Sequence, residues 1–296
     1  MNDMYATVTA HVVAALESGT PPWIRPWTDS GLDPFPRNLA TGRRYRGVNV
    51  LLLNLEARLR GFWDARWLTY RQAADLGACV RKGEHGTPVV FFKWHEVATQ
   101  TDRVTEPTPK RVIPLLKSFT VFNAAQLEGL PPAYQKPRSE ALWEPVAEAE
   151  RLLSASGAAI SQGGDRAFYV PGEDRIQLPQ AGQFASPEAY YGTALHELTH
   201  WTGHASRCNR PLGARLGLEA YAFEELVAEM GAAFLCAHCR LPARLEHASY
   251  IGNWLQALKN DKRLVFIASA KAQAATDYVL GAADALPSPV AEAVAA

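Results

Sequence analysis

The chain has 296 residues, 48% hydrophobic and 20% charged, with 30 basic and 30 acidic side chains. That is the composition of a globular protein with room for one large or two medium domains. No run of about 18 apolar residues occurs, so no membrane partner is expected. Four cysteines, Cys79, Cys208, Cys236 and Cys239, are too few and too scattered for a disulfide framework, which points to a reducing cytoplasm. The zero net charge conceals an asymmetry: residues 1–140 carry 18 basic against 13 acidic side chains, and 141–296 carry 12 against 17. Within 37–82 the ratio sharpens to 10 against 3, so the two halves are expected to meet different partners.

In chain order, the first twenty residues have periodic apolar positions and an acidic residue at position 3, which reads as an amphipathic helix and not a signal peptide. Thr20 to Trp27, with three prolines and two indoles, is an extended arm. The turn at 38–47 sets Arg43, Arg44 and Arg46 around Tyr45, and a helix follows over 48–60. Thr69 caps a short helix that Gly77 ends. Residues 79–94 read as strand, glycine turn and strand, residues 98–111 as a long hairpin tip, and 117–122 as a third strand. The proline-rich stretch 131–142 is the linker candidate. Beyond it lie a helix over 144–156, a hairpin turning at 171–174, a helix opening at Pro187 after Ser186, and helices over 218–239, 248–258 and 261–279. The fold class is α+β: a small mixed α/β domain over 1–130, then a mainly helical domain with a small sheet over 143–296. Cys236 and Cys239 lack a second pair to complete a zinc site and read as core.

The sharpest signal is His196-Glu197-Leu198-Thr199-His200. Two histidines one helical turn apart can close on one ion, and Glu197 between them can reach a water on it. A core helix with two satisfied histidines is the alternative. The metal reading gives zinc, or another divalent ion such as manganese, with Glu197 as general base toward a carbonyl. Catalytic zinc needs a third protein ligand. His204 stands only four residues after His200, with Gly203 between, a spacing that does not suit the histidine-rich metzincin pattern. On the helix over 218–239, Glu229 is favoured, because Gly231, Ala232 and Ala233 beside it permit close helix approach. Glu225 is the alternative ligand, or the hydrogen-bond partner of a ligating histidine.

The basic half interleaves aromatic and cationic residues. Trp23, Trp27, Tyr45 and Trp67 could stack on bases while Arg43, Arg44, Arg46, Arg71, Arg81, Lys82 and Lys93 follow phosphates, the usual equipment for single-stranded DNA. For each tryptophan singly, a place in the core competes with this. Neither a dinucleotide fingerprint nor a Walker motif is present, so no nucleotide cofactor is expected.

Asn38-x-x-Thr41-Gly42-x-x-Tyr45-Arg46-Gly47-Val48-Asn49, Trp67-x-Thr69-x-x-Gln72, Gly77-x-x-Val80-Arg81-Lys82-Gly83-Glu84 and Val121-Phe122-Asn123-x-x-Gln126 together resemble the N-terminal domain of the ArdC antirestriction family, also found in plasmid primases of the TraC type. The His196 to His204 run and Glu224-Glu225-Leu226-Val227-Ala228-Glu229 resemble the zincin-like metallopeptidase domain of the same proteins. The resemblance implies a plasmid-encoded protein that binds single-stranded DNA and protects incoming DNA from host restriction during conjugation. It implies a metallopeptidase fold with an unidentified protein substrate, for which a component of host restriction is the candidate. Primase activity has no counterpart in the chain. A second reading keeps the DNA-shielding role and makes the zincin domain only a scaffold or regulator.

Overall fold

A computed structural model describes residues 3–19, 21–23, 35–62, 64–97, 111–135, 145–212, 218–242 and 251–284. Asp3 caps the first helix, α1 (Met4–Glu17), by accepting from the backbone N–H groups of Tyr5 and Ala6. Its periodic apolar residues Val8, Val12 and Leu16 are buried. Helix α2 (Val48–Leu59) begins where the arginine turn ends. Strand β1 (Arg37–Asn38) pairs in parallel with β2 (Arg66–Leu68). Helix α3 (Tyr70–Asp75) starts with a reciprocal capping box between Thr69 and Gln72.

Two long antiparallel strands, β4 (Thr87–Val97) and β5 (Arg111–Asn123), complete a sheet of order β1-β2-β5-β4. The outer edge of β4 is closed by a side chain: buried Asn49 donates to the Val90 carbonyl at 2.7 Å and accepts from the Val90 N–H at 2.8 Å. Strand β3 (Cys79–Val80) and β4 flank the glycine turn as the sequence predicts but do not pair with each other; β3 pairs with β6 (Leu127–Glu128). The cause is Gln126, whose side chain donates to Glu84 and to the His85 carbonyl, while its backbone carbonyl accepts from Arg81 N–H at 3.0 Å. Those bonds hold the glycine turn against the 124–126 segment.

Of the linker candidate, Pro132–Gln135 forms a short helix, α4, and 136–142 lies outside the described residues. Helix α5 (Pro145–Ser156) leads to a second sheet of order β7-β9-β8, with β7 (Ala159–Gln162) parallel to β9 (Arg175–Leu178) and β8 (Phe168–Val170) antiparallel to it. Helices α6 (Pro187–Thr202), α7 (Leu218–Cys239), α8 (Ile251–Asn260) and α9 (Leu264–Asp284) follow. The hairpin over 168–178, the Ser186 cap and the span of α7 are as the sequence predicts. Cys236 and Cys239 are core residues. No helix among the described residues is long and apolar enough to cross a membrane.

One hydrophobic cluster joins the two halves. Val8, Val12 and Leu16 of α1 and Val48, Leu51 and Leu52 of α2 share it with Leu226, Val227, Met230 and Phe234 of α7 and with Trp254 and Phe266. Helix α7 therefore turns its apolar face to the N-terminal half and its acidic face toward α6.

Candidate metal centre

Ser186 caps α6 at the Ala189 N–H, and Pro187 occupies the first helical position, so the helix starts where its local sequence dictates. Leu195 and Leu198 anchor it in the core. His196 and Glu197 are carried inside with them, at 1% and 5% exposure. Buried polar side chains need partners, and α7 provides those of His196. The approach of the two helices is set at Gly231, where an added Cβ would lie 2.5 Å from Thr199 Cγ2.

The Nε2 atoms of His196 and His200 are 3.1 Å apart. The Glu225 carboxylate reaches both, Oε2 lying 3.5 Å from His196 Nε2 and Oε1 lying 3.5 Å from His200 Nε2. Ligand atoms about 2.0–2.1 Å from a tetrahedral ion stand roughly 3.4 Å from one another, so this triad fits a divalent metal. Imidazole suits zinc and carboxylate suits manganese, and the donor set accepts either.

Glu229 sits on the other side of His196, its Oε1 3.9 Å from Nδ1. The geometry thus gives Glu225 the position that the sequence reading gave first to Glu229. The reason is helix direction. Along α6 from His196 to His200, the facing carboxylates on α7 run backward from Glu229 through Glu225 to Glu224, and only Glu225 is level with both imidazoles. Glu224 is buried as well and lies 3.3 Å from His200 Nδ1. His204 stays outside, bonded to Ser206.

The charges agree with a cation site. Burial opposes an imidazolium at His200, but hydrogen bonds from Glu224 and Glu225 and the charge of Glu224 and Glu197 outweigh it and push its pKa up to about 10. Burial likewise opposes the Glu225 carboxylate, and the two histidines overcome that and hold it far below the usual range. Four carboxylates, Glu197, Glu224, Glu225 and Glu229, are buried here, against which Arg210 sets a guanidinium.

The sequence-predicted DNA residues separate into two groups. Trp23, Tyr45 and Trp67 are buried, Trp23 packed edge-on against Trp254 and Trp67 against Phe62, so they present no ring face to a base. Trp27 lies outside the described residues, as does the side chain of Lys93, whose backbone belongs to β4. Arg43, Arg44, Arg46, Arg71, Arg81 and Lys82 are exposed. Arg44 lies over the Phe35 ring and near His238, Arg46 pairs with Asp277 of α9, and Arg81 pairs with Glu84 at 2.9 Å.

The exposed aromatic surface is elsewhere. Phe91 and Phe119, 45% and 47% exposed, meet edge-to-face at 5.5 Å on the β4–β5 ribbon, and exposed Lys117 is the register partner of Phe91. Tyr70 is 63% exposed beside Arg71. In sequence these phenylalanines belong to strands whose alternation reads as core, so nothing singles them out.

Residues 2–122 match the N-terminal domain of anti-restriction factor ArdC, and residues 147–271 match a zincin-like metallopeptidase family. Two proteins of Escherichia coli named DNA primase TraC are 42% and 43% identical over 93% and 92% of this chain, which spans only 20% and 26% of their length. Uncharacterized protein y4eC of Sinorhizobium fredii (strain NBRC 101917 / NGR234) is 38% identical, the match covering 94% of this chain and 91% of that protein. The metal-free crystal structure of the antirestriction protein ArdC from plasmid R388 superposes with a TM-score of 0.80 at 40% identity, covering 97% of this chain and all of that one. Its Mn(II)-bound structure gives a TM-score of 0.78 over 96% of this chain. Both halves are matched in order, and a relative 40% identical is covered from end to end, so the chain belongs to the ArdC antirestriction family.

Proposed function

We propose that this protein is a divalent-metal-dependent peptidase whose N-terminal half binds single-stranded DNA, and that it protects incoming DNA from restriction by acting on a protein near that DNA. The observation that carries the peptidase reading is the convergence of His196 Nε2, His200 Nε2 and the Glu225 carboxylate on one point, with Glu197 buried on the same helix. His196, His200 and Glu225 would hold the ion, which when bound acts as a Lewis acid toward a peptide carbonyl and toward water. Glu229 and Glu224 face the Nδ1 atoms and orient the two rings. Glu197 accepts the proton of the attacking water on its carboxylate and passes it to the leaving amine.

For the DNA side, the exposed cations Arg43, Arg71, Arg81 and Lys82 supply phosphate contacts, and Tyr70, Phe91 and Phe119 supply stacking faces. The test compares wild type with Glu197→Gln for bound metal, for single-strand binding and for protection of transferred plasmid DNA in a restricting host. The proposal expects metal and DNA binding to persist and protection to fall at least tenfold. Full protection by Glu197→Gln would leave a DNA-shielding protein without a catalytic role.

A further inference from the structure

Arg210 takes no part in the proposed peptide cleavage, although its side chain is only 1% exposed. It lies just beyond α6, where its backbone N–H donates to the Gly203 carbonyl at 2.9 Å. Its Nε donates to both oxygens of Glu224 at 3.2 and 3.0 Å, and its Nη2 donates to Glu224 Oε1 at 2.8 Å. Its remaining bonds go back to α6: Nη1 to Thr202 Oγ1 at 2.8 Å and Nη2 to the Thr199 carbonyl at 2.7 Å. Space for the guanidinium depends on Gly203, where an added Cβ would lie 3.1 Å from Nη2 and 2.9 Å from the His200 carbonyl.

One residue thus ties a carboxylate of α7 to the backbone and hydroxyl of the helix that carries the histidines. A planar guanidinium bonded at both oxygens leaves a carboxylate one orientation. In that orientation Glu224 Oε1 lies 3.3 Å from His200 Nδ1. An acceptor fixed at Nδ1 selects the tautomer with its proton there, which leaves the Nε2 lone pair directed at the point shared with His196 and Glu225. The guanidinium also offsets the charge of Glu224, so that this carboxylate can stay ionised in the interior.

We propose that Arg210 is a positioning residue of the metal centre: through Glu224 it fixes the ring of His200 and so sets the affinity of the site. This rests on the metal reading of the preceding section. The test titrates Co2+ into the purified full chain and follows both affinity and the visible absorption of the bound ion, for wild type, Arg210→Lys, Glu224→Gln and the double variant Arg210→Met/Glu224→Gln. The double variant buries no lone charge and so keeps the test open if a single one fails to fold. Each variant is expected to bind Co2+ about 10- to 100-fold more weakly than wild type with an altered spectrum. Glu224→Gln and the double variant should agree within about threefold, because Arg210 acts through Glu224. Wild-type affinity in Arg210→Lys or in the double variant would overturn the proposal, and so would a tenfold gap between Glu224→Gln and the double. A wild-type chain that takes up no Co2+ would instead sink the metal reading itself.

Discussion

Gly231 of α7 lies against Thr199 of α6 so closely that an added Cβ would come within 2.5 Å of Thr199 Cγ2 and 3.0 Å of its Oγ1. Thr199 is fully buried and its hydroxyl is bonded to the Leu195 carbonyl at 2.8 Å, so it has little freedom to move aside. Alanine is the better helix former by about 1 kcal/mol, but overpacking a tight core costs about 1–3 kcal/mol. Gly231→Ala is therefore expected to destabilise the protein on balance and to weaken metal uptake by spreading the imidazoles from Glu225. Denaturant unfolding and metal titration check this; a stabilised variant with normal uptake would contradict the packing account.

Removing the metal should lower thermal stability throughout the molecule. A ligand at a hundred times its dissociation constant adds about 2.7 kcal/mol to the native state. The same helix that carries Glu225 also presents Leu226, Val227 and Met230 to α1 and α2, so the loss is not confined to one half. Calorimetry with and without chelator is expected to show one transition that moves down by about 5 °C. Two transitions, only one of them metal-sensitive, would refute this coupling.

Single-strand affinity should follow Phe91 and Phe119, not the buried indoles. Stacking of a base on an aromatic side chain is worth about 1–3 kcal/mol, so Phe91→Ala and Phe119→Ala should each weaken oligonucleotide binding roughly 5- to 100-fold. Trp67→Phe should leave affinity unchanged in the folded protein and reduce stability, since Trp67 fills the core beside Phe62 and Val121. Fluorescence anisotropy with a short unstructured oligonucleotide measures the first effect and thermal melting the second.

The acid limb of the stability profile has a definite sign. Hydrogen bonds and charge from Arg207 hold the Asp174 carboxyl below its usual pKa; for Glu148, burial acts the other way and is outweighed by Arg151 and His238. Their contributions are complete above about pH 4 and are lost as pH falls through the folded values. His238 is also depressed, first by burial and then by the charge of Arg44, so the folded state resists a proton that the unfolded chain accepts below about pH 6.5. In chelator, melting temperature should fall first below about pH 6.5 and again below about pH 4. His238→Gln should remove the first step, and its persistence would assign that step to another group.

Most of the helices were legible because their signals are local. Ser186 with Pro187 and Thr69 with Gln72 are short-range hydrogen-bonding patterns that need no partner elsewhere. The HELTH run was legible for the same reason, since two histidines four apart share a helix face in any helix. The sequence favours Glu229 over Glu225 on its small neighbours alone; both lie on one face of α7, and the antiparallel course of α6 decides which is level with the imidazoles. Arg210 carried no local signal at all; its role exists only because the chain turns back after Gly203. The indoles misled for a related reason. Trp23 and Trp67 stand among arginines in the sequence, yet both rings are buried, and Arg66 beside Trp67 is buried with its partner Asp64.

Helix α7 is a party wall. Cutting the chain in the stretch between α4 and α5 would strip it from α1 and α2 and leave Val8, Val12, Leu51 and Leu52 facing water, a surface that invites aggregation. Gene fragments for the N-terminal half alone should therefore yield insoluble material unless α7 is supplied in trans.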